Sequence, residues 1–384
     1  MIRNVLFKGV LFMSLLFSVF CVCFPSAHAD AKDRKVAMKV EQMMDKMTLR
    51  EKVGQLFIVQ PEFLTSSCLT EINSEIIEDL KEYPVGGFVL FNGNLETASQ
   101  TRTFLSDLQK NSSIPLFMAI DEEGGDMTWI SKLAQDPKTG FNAPVIPPMA
   151  EIGATKSTRK AKKTGKIIGT YLKDLGFNLD FAPVADINTN PKNIVIGERS
   201  FGNTPKLVTS MVKEELKGLH SAGVMGCTKH YPGHGDTTDD THKGAVVQTK
   251  TWEELLSGEL VPFIKTAKET DMIMASHITV SNVDPSQQPT TLSEVMLTEK
   301  LRKELGYQGV IITDSMLMNA VSDIDHDGDT TVKAILAGAD IVLMPLDIKK
   351  SFDKVVEAVE DGTITEERID ESLRRILALK VKYL

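Results

Sequence analysis

The chain has 384 residues, a formal net charge of −9, 6% aromatic residues and four cysteines. An acidic balance with few aromatics and no basic run argues against a nucleic-acid partner. The length allows one large α/β domain or two ordinary ones, and without a CxxC pair the cysteines do not suggest structural zinc.

Met1 to Ala29 has basic residues at Arg3 and Lys8, an apolar core through Val10–Phe17 and a close on Ala27-His28-Ala29. This is the order of a secretory signal peptide ending in a small-residue cleavage site. The core is too short to span a membrane, and Phe20 before Cys21 and Val22 before Cys23 argue against a lipoprotein anchor. The expectation is a signal peptide over residues 1–29 and a single domain over 30–384. The protein would then be secreted or extracytoplasmic, without stable membrane insertion. Cys68 and Cys227 would remain, as free thiols.

Asp30 to Met47 spaces Val36, Val40, Met43, Met44 and Met47 along one helical face, with the methionines as core packing. Thr48 and Glu51 have capping-box spacing. Apolar strand-like runs then appear at Gln55–Val59, Val85–Phe91, Leu116–Asp121, Phe177–Pro183, Val224–His230, Met272–His277, Gly309–Asp314 and Asp340–Pro345. Helical patterns lie between and after them, at Glu71–Lys81, Leu95–Leu108, Ser157–Leu175, Pro205–Ala222, Trp252–Glu269, Ser293–Leu305, Thr330–Ala337 and Ile348–Glu360. A last helix runs over Thr365–Leu384. Runs apolar on both faces that alternate with helices form parallel sheets. Eight such units without a linker predict a closed (βα)8 TIM barrel rather than an open sheet.

The prominent polar residues support this. Asp121, Asp186, Lys229, His230, His277 and Asp314 all end or follow a run, and a barrel gathers such ends on one rim. The long irregular stretch Gly124–Glu151 reads as a functional loop.

The densest chemistry lies in Lys229–His242, K-H-Y-P-G-H-G-D-T-T-D-D-T-H. It holds three of the chain's seven histidines, His230, His234 and His242, with Asp236, Asp239 and Asp240. Such a cluster at the mouth of a buried strand is costly unless a ligand or reaction uses it. In Asp240-Thr241-His242 the aspartate can orient the imidazole and raise its basicity, giving a general acid and base. His230, His234, Asp236 and His242 could instead hold zinc or iron, but their spacing matches no standard motif. No metal is expected.

Asp314 reads either as a nucleophile or as a helix N-cap. Asp121-Glu122-Glu123-Gly124-Gly125 reads as a sugar-hydroxyl clamp followed by a turn that lets backbone approach, or as a plain acidic turn. Arg199 would bind a ligand oxygen or pair with Asp180 or Asp186. His277 could be a satisfied core histidine. Asp323–Gly328 opens like a calcium loop, but Ala334 stands where glutamate is needed, so a solvated acidic turn is expected.

Lys229-His230-Tyr231-Pro232-Gly233-His234-Gly235-Asp236-Thr237 resembles the signature of family 3 glycoside hydrolases. With it come Ile120–Gly125, Phe181–Asp186, Arg199–Gly202, Gly309–Met316 and Arg368–Ser372, so the resemblance runs from about Thr48 to the C-terminus. Asp240-Thr241-His242 resembles the dyad of the single-domain β-N-acetylglucosaminidase (NagZ-like) branch. Two-domain β-glucosidases of the family draw an acid from a second domain, which a chain of this length is not expected to contain.

The resemblance implies a cofactor-free retaining enzyme that removes terminal β-linked GlcNAc from cell-wall (peptidoglycan) fragments or related glycans. It implies Asp314 as nucleophile, His242 oriented by Asp240 as acid and base, and Asp121, Arg199, Lys229 and His230 on the sugar hydroxyls. Relatives usually follow the paired glycines with arginine, where Asp126 stands here, and substrate preference could shift accordingly. A β-glucosidase, a glycoside phosphorylase and a non-catalytic sugar-binding barrel remain alternatives. The dyad's loop, with its glycines and hydroxyl residues, is expected to be mobile.

Overall fold

The computed structural model describes residues 31–384 apart from Ser66. The expected signal peptide, Met1–Ala29, lies outside the described residues. Eight strands form the central sheet: β1 (Phe57–Val59), β2 (Gly87–Val89), β3 (Phe117–Ile120), β4 (Leu179–Asp180), β5 (Met225–Tyr231), β6 (Met272–Ala275), β7 (Val310–Thr313) and β8 (Val342–Leu343). All pair in parallel, in the order β8-β1-β2-β3-β4-β5-β6-β7. A parallel bridge between Ile312 and Ile341 joins β7 to the residue before β8, and Thr313 N–H donates to Ile341 O at 3.0 Å. The ring is therefore the expected (βα)8 barrel.

Every residue of these eight strands is buried, because one face packs into the barrel and the other under helices. That is why the runs are continuously apolar rather than alternating. The helix Ile348–Glu360 turns Ile348, Phe352, Val355 and Val359 inward. The last helix, Glu366–Tyr383, packs on the first, Ala31–Met44, where Val40 and Met44 are buried and Val36, Met43 and Met47 pack at the edge. The methionines are core packing, as read. Thr48 and Glu51 form the capping box, with Glu51 N–H on Thr48 Oγ1 at 3.2 Å and Thr48 N–H on Glu51 Oε2 at 2.9 Å.

Three elements differ from expectation. Trp252–Glu269 is two helices, Trp252–Ser257 and Leu260–Thr266, parted at Gly258, whose φ of −125° and ψ of −102° leave the helical region. Val295–Glu304 is a π-helix, a rare form that apolar spacing does not separate from an α-helix. Val246–Gln248 and Ile278–Val280 pair in parallel outside the barrel, beyond β5 and β6. This ribbon holds the far end of the segment that follows β5. The acidic turn is a helix start without a glutamate twelfth position: Asp325 accepts from Thr330 N–H at 2.9 Å ahead of the helix Asp329–Ala337. Cys68 and Cys227 are free thiols.

Candidate active site

Strand alternation continues past β3 into Asp121-Glu122-Glu123. Glu122 turns outward and accepts from the amides of Trp129 (2.7 Å), Ile130 (3.1 Å) and Ser131 (3.0 Å), and from Tyr171 Oη (2.9 Å). Its role is to hold the loop after β3. Asp121 and Glu123 turn the other way, to Lys229 on β5, whose Nζ lies 2.5 Å from Asp121 Oδ1 and 2.6 Å from Glu123 Oε1. Arg199 grips Glu123 from the loop after β4, with Nε on Oε2 and Nη2 on Oε1, both at 2.8 Å. This bidentate geometry suits the guanidinium fork.

Arg199 therefore pairs with neither of the partners expected for it. The Asp180 carboxylate accepts from Glu122 N–H at 3.0 Å, and Asp186 is committed to histidines. Burial works against the charge on Glu123, but Arg199 and Lys229 outweigh it and hold the carboxyl far below the ordinary glutamate range. Burial likewise opposes the Lys229 charge, and Asp121 and Glu123 outweigh that, raising its pKa. Glu123, Arg199 and Lys229 are ionised together.

Asp186 anchors the histidines. Its Oδ2 accepts from His230 N–H at 3.1 Å and bonds His230 Nδ1 at 2.7 Å, while Oδ1 accepts from His234 N–H at 2.6 Å. The other ring nitrogen of His230 lies 3.4 Å from Arg199 Nη2. The pairing register of β5 with β6 shifts between Thr228 and Tyr231, so consecutive residues Lys229 and His230 both reach the cluster. His234 bonds Thr237 Oγ1 through Nδ1 at 2.7 Å.

Asp314 follows β7, its own N–H on Ala275 O at 2.8 Å and its Oδ1 accepting from Ser315 N–H at 2.8 Å. The next helix begins only at Asn319, so Asp314 is not an N-cap. Burial pushes its pKa up, but His230, His277, the Ser315 amide and Lys229 win and keep it ionised below the usual aspartate value. His277 is the satisfied core histidine, bonding Thr291 Oγ1 and Ser315 O at 2.8 Å each. It braces the turn that carries Asp314.

Asp240 and His242 form the expected pair: Asp240 Oδ1 bonds His242 Nδ1 at 2.8 Å and accepts from His242 N–H at 3.0 Å. These contacts outweigh partial burial and lower the Asp240 pKa. The His242 side chain is 60% exposed, outside the buried cluster. The root of its loop is tied to the loop after β4, where Asn193 Nδ2 donates to His234 O (2.7 Å) and Thr237 O (2.9 Å).

One rim thus holds buried Glu123, Lys229 and His230 with half-buried Asp121 and Arg199, an ionised aspartate beside them, and an imidazole–carboxylate pair on a neighbouring loop. Residues 48–379 match the Glycosyl hydrolase family 3 N terminal domain. The chain belongs to glycoside hydrolase family 3. Beta-hexosaminidase A of Pseudoalteromonas piscicida is 33% identical over 389 residues, spanning 93% of this chain and 63% of that protein. A beta-hexosaminidase of Tolumonas auensis is 31% identical over 71% of this chain and 79% of its own length. The solved family 3 beta-N-acetylglucosaminidase of Paenibacillus sp. superposes with a TM-score of 0.81 at 37% identity, covering 88% of this chain and 63% of that one. The chain spans less than two thirds of the first and third of these proteins.

Within this family 3 barrel, the sequence reading took Glu123 only as part of the Asp121–Gly125 motif and Asp186 only as a strand-end residue and candidate partner of Arg199, and placed neither in the site. Strand alternation held the signal for the first: Asp121 and Glu123 share a parity, and Glu122 does not.

Proposed function

We propose that the chain is a retaining exo-β-N-acetylglucosaminidase. The carrying observation is a hydrogen-bonded Asp240–His242 dyad whose segment is bonded, through Thr241 O and Ala320 N–H, to the loop that starts at Asp314. Asp314 attacks the anomeric carbon as the glycosidic C–O bond breaks, and His242 gives its proton to the leaving oxygen. The covalent glycosyl-enzyme is then hydrolysed by water, which His242 deprotonates, releasing Asp314. Asp240 orients the imidazole through its bond to Nδ1. Asp121, Lys229, His230 and Arg199 hold the hydroxyls of the terminal sugar through charge-assisted bonds.

The similarity to proteins named beta-hexosaminidase and beta-N-acetylglucosaminidase supports GlcNAc as the sugar. Incubation with a fluorinated GlcNAc donor tests the mechanism: label is expected on Asp314, and label elsewhere refutes it. Turnover of aryl GlcNAc above aryl glucose, unchanged by added phosphate, is expected. No turnover of aryl GlcNAc refutes the substrate. On the signal-peptide pattern of Met1–Ala29 we further propose that the enzyme works outside the cytoplasm on wall-derived glycans. Fractionation and N-terminal sequencing of the mature protein test this; an uncleaved cytoplasmic chain refutes it.

A further inference from the structure

We infer that Thr241, between the two dyad residues, is the positioning residue that keeps His242 in register with Asp314. This rests on the reading of the site given above. The side chains of Asp240 and His242 are 20% and 60% exposed, yet Thr241 between them is 2% exposed. It is inserted into the loop after β7. Its carbonyl accepts from Ala320 N–H at 3.2 Å, and its hydroxyl lies 3.8 Å from the Met318 thioether. Ala320 is in the first turn of the helix Asn319–Ser322, where amides have no acceptor within the helix. Thr241 supplies one.

Among the described residues, these are the two hydrogen bonds that join Thr238–Gly244 to another part of the chain; the rest are local to the segment. The root of the loop is bonded instead to the loop after β4, which does not carry the nucleophile. On the β7 side the connection back to Asp314 is short and braced: Met318 N–H donates to Ser315 O at 3.1 Å, and His277 Nε2 bonds the same oxygen at 2.8 Å. Asp314, Ser315, Met318 and Thr241 thus form a continuous link from nucleophile to dyad. A misplacement of about 1 Å in an acid costs about a hundredfold in rate, so an exposed imidazole on a loop needs such a fixed point.

The test uses aryl β-GlcNAc substrates whose leaving groups differ in basicity, because kcat/KM reports glycosylation and only poor leaving groups need the proton. In Thr241→Gly, kcat/KM for a methylumbelliferyl or alkyl leaving group is expected to fall about tenfold or more. For a dinitrophenyl group, which departs unprotonated, the change is expected to stay within about twofold. Thr241→Ser, which keeps the hydroxyl, restores most of the loss, and the melting temperature of Thr241→Gly falls by no more than about 4 °C because a single small buried side chain is lost. Equal losses for both substrates, or no loss for either, overturn the inference. His242→Ala in parallel separates the two layers. If it shows the leaving-group split and Thr241→Gly does not, the positioning role falls alone; if His242→Ala shows no split, the acid–base reading falls and takes this inference with it.

Discussion

Replacing Glu123 by glutamine keeps the side-chain volume and removes one buried charge. The carboxylate receives two bonds from Arg199 and one from Lys229, and the Glu123 and Lys229 side chains are each 2% exposed. Glutamine replaces one accepting oxygen with a donor, which then faces a cation. Breaking a buried ion pair from one side costs about 3–5 kcal/mol. Lys229 keeps Asp121 and Arg199 keeps Val195 O, so the lower end, about 3 kcal/mol, is expected. Unfolding entropy of about 0.8 kcal/mol/K for the 384-residue chain converts this to a melting point lower by about 4 °C at pH 7.

The sign of the pH dependence follows. The folded-state pKa of Glu123 lies below the ordinary value of 4.5. Its contribution is therefore fully present above that value and is lost as pH falls toward the folded pKa. The gap in melting point between wild type and Glu123→Gln should be largest at neutral pH and narrow below pH 4.5, in scans by calorimetry or fluorescence. Because Arg199 and Lys229 lose their common acceptor, kcat/KM on an aryl GlcNAc should fall by about a hundredfold. A melting point within about 1 °C of wild type at pH 7, or a gap that does not close in acid, refutes the claim that Glu123 holds both cations.

Glu215, buried beneath the site, has its pKa pushed up to about 8 by burial, with the charge of Glu123 adding to the effect. The folded state then binds its proton more tightly than the unfolded chain, so stability falls from about pH 4.5 to about pH 8, by roughly 1.4 kcal/mol per unit. Denaturant titrations should show Glu215→Gln gaining on wild type through that window; parallel curves count against it. A Cβ on Gly235 would lie 2.1 Å from Ile187 O, so Gly235→Ala must shift the root of the dyad loop. It should cost about 1–3 kcal/mol of stability and lower kcat on poor leaving groups more than on dinitrophenyl ones. Normal kinetics would mean that the loop absorbs the methyl.

The barrel was legible because both faces of each strand are buried, which writes a continuous apolar run, and because each run ends where the polar residues begin. The residues that face the rim were legible for the same reason. Their partners were not. Arg199 and Glu123 are 76 positions apart, and Asp180 and Asp186 are acids at nearer strand ends that parity and prior commitments take out of reach. Asp180 is held by Glu122 N–H and Asp186 by two histidines of one segment, His230 and His234. The split of Trp252–Glu269 was hidden because a lone glycine, Gly258, is tolerated within many helical patterns.

The arrangement of charge says why those partners matter for the proposed chemistry. Lys229 and Arg199 carry the formal positive charge of the buried cluster, against the carboxylates of Asp121, Glu123, Asp186 and Asp314. Counting these carboxylates against the two cations alone, the group is doubly negative, a poor setting for an anionic ligand but a favourable one for an oxocarbenium-like transition state. Each cation and imidazole that would face the sugar is backed by a carboxylate: Lys229 and Arg199 by Glu123, His230 by Asp186, His242 by Asp240. Asp314 is instead neighboured by His230, His277 and Lys229, which keep it ionised so that it can attack. Neutralising a backing carboxylate therefore does two kinds of harm at once. It loosens the group in front, and it removes one unit of the negative field in which positive charge must develop at the anomeric carbon.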